Sequence, residues 1–203
     1  MKKISSLAEY MQLASRTCPD LGTNKLNAFH MNSGIITEIG EGVDPIKKHI
    51  AYGKPLDLVN VGEEVADCIW YIANKARMFL SASIKERAWG TDEDFNKGIL
   101  DFEETFKEDF EKAKTQQEKL ILATNFMYVV SYTIVDVEDF SEETSLGLPN
   151  VILLKKVCDL LDLDFFQILT NNIEKLKVRY PEKFDAELAQ NRNLEAEREA
   201  LEK

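Results

Sequence analysis

Residues 34–41 read GIITEIGE and residues 61–71 read VGEEVADCIWY, and these two stretches decide the fold of the chain. Each one carries two carboxylates three residues apart, Glu38 with Glu41 and Glu64 with Asp67. Residues at this spacing share one face of a helix, so each pair places two carboxylates side by side. If the two helices pack antiparallel, the four carboxylates converge.

Signals for helix starts and stops divide the rest of the chain into further helices. Gly (9) and Pro (5) are scarce and stand where helices should end. Capping residues predict helix starts at Ser6, Asn24, Thr91, Thr115 and Asp164. The pattern is typical of an all-α protein rather than of a sheet.

Gly42 and Pro45 predict a break between two helices. Asp44 followed by Pro45 resembles an N-cap with proline at the first helical position, so a second helix should end near Glu41 and a short one should reach Tyr52. Residues 58–80 then form the long helix that carries the second carboxylate pair.

Composition excludes several classes of function. The formal net charge of −11 repels nucleic acid and anionic membranes. The longest apolar run, near residues 119–136, is too short and too polar for a bilayer span, and it is expected to be a helix buried on most sides. No export signal follows Met1, and three cysteines without a CxxC pair suit reduced thiols, so we expect a cytoplasmic protein.

Four converging carboxylates need a compensating charge, because like charges raise one another's pKa and burial of charge is costly. Hard divalent cations supply that charge, and ligands that are all oxygen favour Mg²⁺, with Mn²⁺ as a substitute. Two solvated acidic helix faces are the alternative interpretation. The apolar neighbours of Glu38 and Asp67 argue against it, since carboxylates within apolar helices require a reason.

At these residues the chain resembles the all-α nucleoside triphosphate pyrophosphohydrolases of the MazG type, whose motif is ExxE, a spacer and ExxD. The segments 34–41, 44–48 and 67–71 match that pattern. A second match comes late, at residues 172–181, which read NIEKLKVRYP and resemble the Asn-x-x-Lys-Leu-x-x-Arg-Tyr-Pro closing segment of the family. Two matches in the right order make the resemblance specific.

The resemblance implies a helical bundle in which Glu38, Glu41, Glu64 and Asp67 hold Mg²⁺ and a nucleoside triphosphate is cleaved to the monophosphate and pyrophosphate. It covers about residues 6–80 and 150–185 of a single domain over residues 1–185. An extra helical hairpin at about 81–148 departs from the family, and residues 186–203 should be a charged helical or frayed tail. A homodimer or homotetramer is also implied, unless the insertion takes the place of a partner's helices.

Six further residues are candidates for substrate binding. Lys48, Lys175 and Arg179 are expected to hold phosphate oxygens, although Lys175 and Arg179, four apart, would equally form a solvated basic stripe. Asn172 would reach a phosphate or the sugar. Tyr71 and His30 lie on the metal-bearing helices and would bound the base, or pack in the core.

Two rival functions remain open from the sequence. A phosphoribosyl-ATP or dUTP pyrophosphatase would use the same four carboxylates, and which carboxylate acts as general base stays open in either case. A non-catalytic nucleotide-binding or regulatory helical protein is the other rival. The chain has no P-loop and no GxGxxG motif, which argues against phosphoryl transfer on a Gly-rich loop.

Overall fold

The computed structural model describes residues 1–79, 91–134 and 147–202. Within these ranges the chain is all-α, with ten α-helices, a short 3₁₀ helix at Ser15–Thr17 and no strand. In chain order the helices are α1 Leu7–Ala14, α2 Asn24–Tyr52, α3 Leu58–Phe79, α4 Asp92–Thr105, α5 Lys107–Lys112, α6 Gln116–Ile134, α7 Gly147–Leu160, α8 Phe165–Arg179, α9 Ala186–Gln190 and α10 Leu194–Leu201. Residues 80–90 and 135–146 of the predicted insertion lie outside the described residues.

Side-chain caps begin most of these helices where the sequence predicts them. Ser6 accepts a hydrogen bond from the Glu9 backbone N–H, and Thr91 forms a capping box with Asp94. The cap of α2 is Thr23, one residue before the predicted Asn24. Helix α7 starts at Gly147.

The predicted break between Gly42 and Pro45 is wrong, because α2 continues as one helix from Asn24 to Tyr52. Gly42 instead allows Met127 and Glu64 to approach the backbone of α2 closely. A Cβ atom there would lie 2.6 Å from Met127 Cε and 3.2 Å from Glu64 Cβ. The helix ends at Gly53, whose φ of 65° is left-handed, a conformation that glycine adopts without strain.

Helices α2 and α3 form the central antiparallel pair. Gly34 faces Tyr71 across the interface, and Gly42 faces Glu64, so the residue numbers run in opposite directions along the contact. Helix α8 packs along α3 in the same direction, with Gly62 beside Ile168 and Asp67 beside Asn172. The carboxylate-bearing faces of α2 and α3 therefore meet, and α8 lies next to them.

The described part of the insertion packs inside the chain. Helix α6 lies against both α2 and α7, where Leu120, Met127 and Val130 are buried. Helix α4 also faces α6: the rings of Phe102 and Phe126 have centroids 5.3 Å apart. The described part of the insertion thus contributes a helix to the bundle of its own chain.

Helix α6 is not buried on most sides, which corrects the expectation from its apolar sequence. Its outer side exposes large apolar side chains at helical spacing, and we call it the α6 face, formed by Ile121, Tyr128, Val129 and Tyr132.

None of the helices in the described ranges combines the length and apolar character needed to cross a membrane.

The carboxyl-terminal residues belong to the packed structure. Helix α10 lies on α8, with Ala200 and Leu201 buried. The Asn171 Nδ2 group donates to the Leu201 carbonyl at 2.8 Å, and Arg198 pairs with Asp57 at 3.1 Å. The tail is helical as predicted, but it is docked rather than solvated.

Candidate metal centre

Three of the four carboxylates that are predicted to converge come together as one cluster. Glu38, Glu41 and Glu64 each place one oxygen so that the three atoms lie within 4.8 Å of one another. Glu64 is buried, Glu38 is partly buried and Glu41 is exposed, so the cluster opens to solvent on one side. Asp67 lies outside this group of three and lines the same cavity.

Burial and mutual repulsion disfavour full ionisation of the cluster. Burial first, and the neighbouring Asp67 carboxylate second, raise the pKa of Glu38. Burial and a hydrogen bond with Glu38 raise the pKa of Glu64. The Asn60 Nδ2 group donates to Glu64 Oε1 at 2.6 Å. The raised pKa values and the hydrogen bond between them indicate that Glu38 and Glu64 share a proton, and a divalent cation at this point would supply the positive charge that the proton otherwise provides.

Asp67 is held by two residues of α8. The Asn172 Nδ2 group donates to Asp67 Oδ1 at 2.5 Å, and Lys175 Nζ pairs with Asp67 Oδ2 and, at 3.1 Å, with Glu63 Oε1. Burial alone would lower the pKa of Lys175, but the two carboxylates raise it above its usual value. Asp67 is thereby fixed in position and partly neutralised.

These contacts correct the expectation that Lys175 and Asn172 touch the substrate. Both side chains are fully buried, and neither lines the cavity. Lys175 is also not part of a solvated stripe. These contacts arise because α8 lies alongside α3, which the spacing of residues in the sequence does not reveal.

A cavity of about 410 Å³ extends from the carboxylates. One end is acidic, with Glu38, Glu41 and Glu64 joined by Asp67 and Glu63. The other end is mainly aromatic and basic, lined by His30, Tyr71, Arg179, Tyr180, Phe184 and Arg192. The cavity is therefore polar in both senses, with negative charge at one end and positive charge at the other.

Tyr71 forms part of the aromatic end because Gly34 leaves room for it. A Cβ atom at position 34 would lie 2.3 Å from the Tyr71 ring. The ring also meets His30 edge-on, with centroids 5.5 Å apart. Burial lowers the pKa of His30, which favours the neutral imidazole, and no described group forms a hydrogen bond with its Nδ1 atom.

Lys48 is not brought to the cavity. It pairs with Asp44 one turn earlier on α2, as Lys47 does at 2.6 Å. An exposed i, i+4 ion pair contributes little, and it occupies the ammonium group. Arg179, by contrast, lines the cavity, and its pKa is raised mainly by the hydrogen bond and charge of Glu197 and further by the Asp67 carboxylate.

The structure adds three residues that sequence analysis did not assign to the site. Tyr10 donates a hydrogen bond to Asn172, Asn60 donates to Glu64, and Arg192 lines the aromatic end. Asn60 was detectable from its position one helical turn before Glu64. The other two belong to distant segments, and no local pattern announces them.

Comparison of the chain with protein-family models, with curated proteins and with solved structures finds no match. The geometry of the cavity therefore carries the functional argument.

Proposed function

We propose that this protein is a Mg²⁺-dependent nucleoside triphosphate pyrophosphohydrolase of the MazG type, which cleaves between the α and β phosphates. The observation that carries the proposal is the cluster of Glu38, Glu41 and Glu64 at one end of a cavity whose other end is aromatic. A cation held by the carboxylate cluster would bind a polyphosphate chain, and the aromatic side chains would contact a base.

The donor set fits a hard cation. All the ligand atoms are carboxylate oxygens, and their mutual distance within 4.8 Å allows one ion to contact all three. Glu38, Glu41 and Glu64 would hold Mg²⁺, or Mn²⁺ as a substitute, with Asp67 beside them. Bound Mg²⁺ would neutralise phosphate oxygens that gain charge during the displacement and would lower the pKa of a nearby water.

The chain's own groups perform the remaining tasks. A water oxygen forms a bond with the α phosphorus, the bond from that phosphorus to the α,β-bridging oxygen breaks, and pyrophosphate leaves. A carboxylate that is not fully engaged accepts the proton of the water. Arg179 contributes positive charge beside the acidic end, while Lys175 acts through Asp67.

Location and assembly follow as two further parts of the proposal. Cys18, Cys68 and Cys158 are free thiols, which suits the reducing cytoplasm.

The α6 face exposes four large apolar side chains on a chain of net charge −11, and a second copy of the chain would cover it. We therefore propose a homodimer through the α6 face.

The proposal is tested by pyrophosphate release from a panel of nucleotides that includes the common ribo- and deoxyribonucleoside triphosphates, dUTP and phosphoribosyl-ATP. Release should require Mg²⁺ and should fall at least 100-fold in Glu41→Gln. Losses of about this size are typical when a contact to a metal or to the transition state is removed. Glu104→Gln, on the exposed side of α4, changes the same charge away from the cavity and should remain active.

The rivals give different outcomes in the same experiment. Release confined to phosphoribosyl-ATP or dUTP would identify the corresponding pyrophosphatase. Metal-dependent nucleotide binding without any turnover would favour a regulatory helical protein. Absence of both turnover and binding across the whole panel would contradict the proposal.

A further inference from the structure

We infer that Arg192 contacts the nucleobase. We also infer that the cavity favours guanine, uracil and thymine, which carry a carbonyl group where adenine and cytosine carry an amino group. This inference rests on the proposed function, which it extends from a class of reaction to a class of substrate. It depends on the carboxyl-terminal segment, residues 181–201, which builds one wall of the cavity.

The carboxyl-terminal segment is firmly attached, so the residue that it delivers to the cavity has a defined position. Asn171 donates to the Leu201 carbonyl at 2.8 Å, and Arg198 forms two hydrogen bonds of 3.1 Å with Asp57. Between these anchors and α8, the segment places Phe184 and Arg192 against the cavity.

Glu197 orients two arginines at once. Its carboxylate is 2% exposed. It accepts from Arg179 Nε at 3.0 Å and Nη2 at 2.6 Å, and from Arg192 Nη2 at 2.7 Å and Nε at 3.2 Å. Both guanidinium groups use the same edge, the one formed by Nε and Nη2. No described residue forms a hydrogen bond with Nη1 of either arginine, so their outer edges are available to a ligand.

The charges at this end do not cancel. One carboxylate, Glu197, faces two guanidinium groups, which leaves a net positive charge beside the cavity. Arg179 lies nearer the acidic end, since the Asp67 carboxylate contributes to its raised pKa. Arg192 shares Glu197 with Arg179 and lines the same cavity, but it has no described interaction with Asp67, so we assign Arg179 to the phosphate side and Arg192 to the base.

The positions of Asp67 and Tyr71 on α3 indicate how a nucleotide would be oriented in the cavity. Asp67 stands at the acidic end, and Tyr71 is four residues later on the same helix, which is about 6 Å along the axis. A nucleotide with its phosphates at Glu38, Glu41 and Glu64 therefore has its base near Tyr71 and His30, within the part of the cavity that Arg192 lines.

The charged groups at the base end can only donate hydrogen bonds. All five carboxylates among the described residues that line the cavity, Glu38, Glu41, Glu63, Glu64 and Asp67, stand at the acidic end. A guanidinium group has no acceptor. Carbonyl oxygens of guanine, uracil and thymine accept from it, whereas the amino groups of adenine and cytosine, at the corresponding position, do not.

The test measures equilibrium binding of α,β-imido triphosphates of deoxyguanosine, deoxyuridine, deoxyadenosine and deoxycytidine to the full chain with Mg²⁺, by calorimetry. These analogues report base selection without turnover. The wild type should bind the first two about tenfold more tightly, the discrimination expected from one good arginine–base contact. Arg192→Ala should reduce that ratio to about one.

Two variants separate a base contact from a general effect of charge or folding. Arg192→Lys keeps the charge but loses the planar fork, so it should lose most of the base preference while still binding triphosphates. Lys183→Ala removes an exposed positive charge of the same segment that does not line the cavity, and it should keep the full preference. Circular dichroism and thermal unfolding verify that each variant is folded.

The outcomes distinguish this inference from the proposed function. Equal affinities in the wild type, a preference for the amino bases, failure to bind any analogue, or an unchanged ratio in folded Arg192→Ala would overturn the inference. Selective binding by a wild type that releases no pyrophosphate from the natural nucleotides would overturn the proposed function and support the inference.

Discussion

The Tyr10 hydroxyl lies 2.9 Å from Asn172 Oδ1, to which it donates a hydrogen bond across 162 positions of the chain. It also lies 3.1 Å from the Ala66 carbonyl, so it joins α1, α3 and α8 at one point. Asn172 in turn donates to Asp67. Tyr10 is fully buried and does not line the cavity, yet it fixes the orientation of an amide that holds a candidate ligand.

Removal of this hydroxyl should weaken both the fold and the site. Tyr10→Phe leaves Asn172 Oδ1 without its donor, so the free energy of unfolding in urea should fall by about 1 to 2 kcal/mol. Pyrophosphate release should fall about tenfold, because the amide that positions Asp67 is no longer held. Tyr52→Phe makes the same change on a side chain that is 69% exposed, and it should alter neither quantity. Equal effects of both substitutions would refute the role of Tyr10.

Gly34→Ala should displace the Tyr71 ring, since the new Cβ atom would lie 2.3 Å from it. The expected loss of stability is about 2 kcal/mol, a typical cost of overpacking, and KM for the nucleotide should rise. Gly40→Ala is the matched control for stability. Nothing lies within 4 Å of a Cβ atom there, so alanine should stabilise α2 by about 0.5 to 1 kcal/mol. Thermal unfolding that moved both variants in the same direction would contradict the close packing of Tyr71 on Gly34.

Lys175→Met should make the stability of the chain depend on Mg²⁺. The substitution leaves Asp67 and Glu63 without their shared cation, at a cost of roughly 3 kcal/mol. A divalent ion at the neighbouring carboxylates restores part of the missing positive charge, so Mg²⁺ should raise the melting temperature of the variant by more than that of the wild type. Lys177→Met changes a partly exposed lysine on the same helix that does not contact Asp67, and it should show no extra response. An equal response of both variants would count against a metal site beside Asp67.

Glu197→Gln should destabilise the docked carboxyl-terminal segment, and the effect should depend on pH. Burial raises the pKa of Glu197, but hydrogen bonds from Arg179 and Arg192 lower it by more, so it lies below the usual 4.5. A lowered pKa in the folded state contributes stability above pH 4.5, and that contribution disappears as the pH falls through the folded value. The free energy of unfolding should thus be roughly 3 kcal/mol lower in the variant at pH 7, and the two proteins should converge in acid. Glu199→Gln, an exposed change on the same helix, should show no such pH dependence.

Self-association should depend on the α6 face. Sedimentation at micromolar concentration should give a dimer for the wild type and a monomer for the double variant Val129→Glu, Tyr132→Glu, because two buried charges oppose the contact. Gln117→Glu, an exposed change in the first turn of α6, should remain dimeric. A monomeric wild type would contradict the proposed assembly.

Local sequence signals predicted helix starts better than helix continuity. Side-chain caps such as Ser6 and Asp164 act through hydrogen bonds to residues two or three positions away, and a single segment contains all the necessary information. The error at Gly42 and Pro45 has a different origin. Glycine there admits Met127, which comes from a helix some eighty positions later, and the packing of α2 against that helix and α3 favours a continuous α2 despite Pro45.

In the candidate site, too, the sequence predicts contacts within a helix but not contacts between distant segments. Glu38 and Glu41, like Glu64 and Asp67, are helical neighbours, so their spacing alone predicts shared faces. The contacts of Asp67 with Lys175 and of Glu197 with Arg179 and Arg192 depend on how α8 and the carboxyl-terminal segment pack. A single sequence does not reveal such tertiary pairings, and the resemblance of residues 172–181 to a family motif pointed to the right residues but not to their contacts.

The ion pair between Lys175 and Asp67 spans 108 positions, which affects the order in which the chain acquires its structure during synthesis. A ribosome makes Glu63 and Asp67 well before Lys175, the lysine that pairs with both. Until α8 emerges, the nascent α2–α3 hairpin carries its carboxylates facing one another without their ammonium partner, and repulsion opposes close packing of the two helices. We therefore expect the final docking of α2 on α3 to be a late event in synthesis, after α8 has emerged.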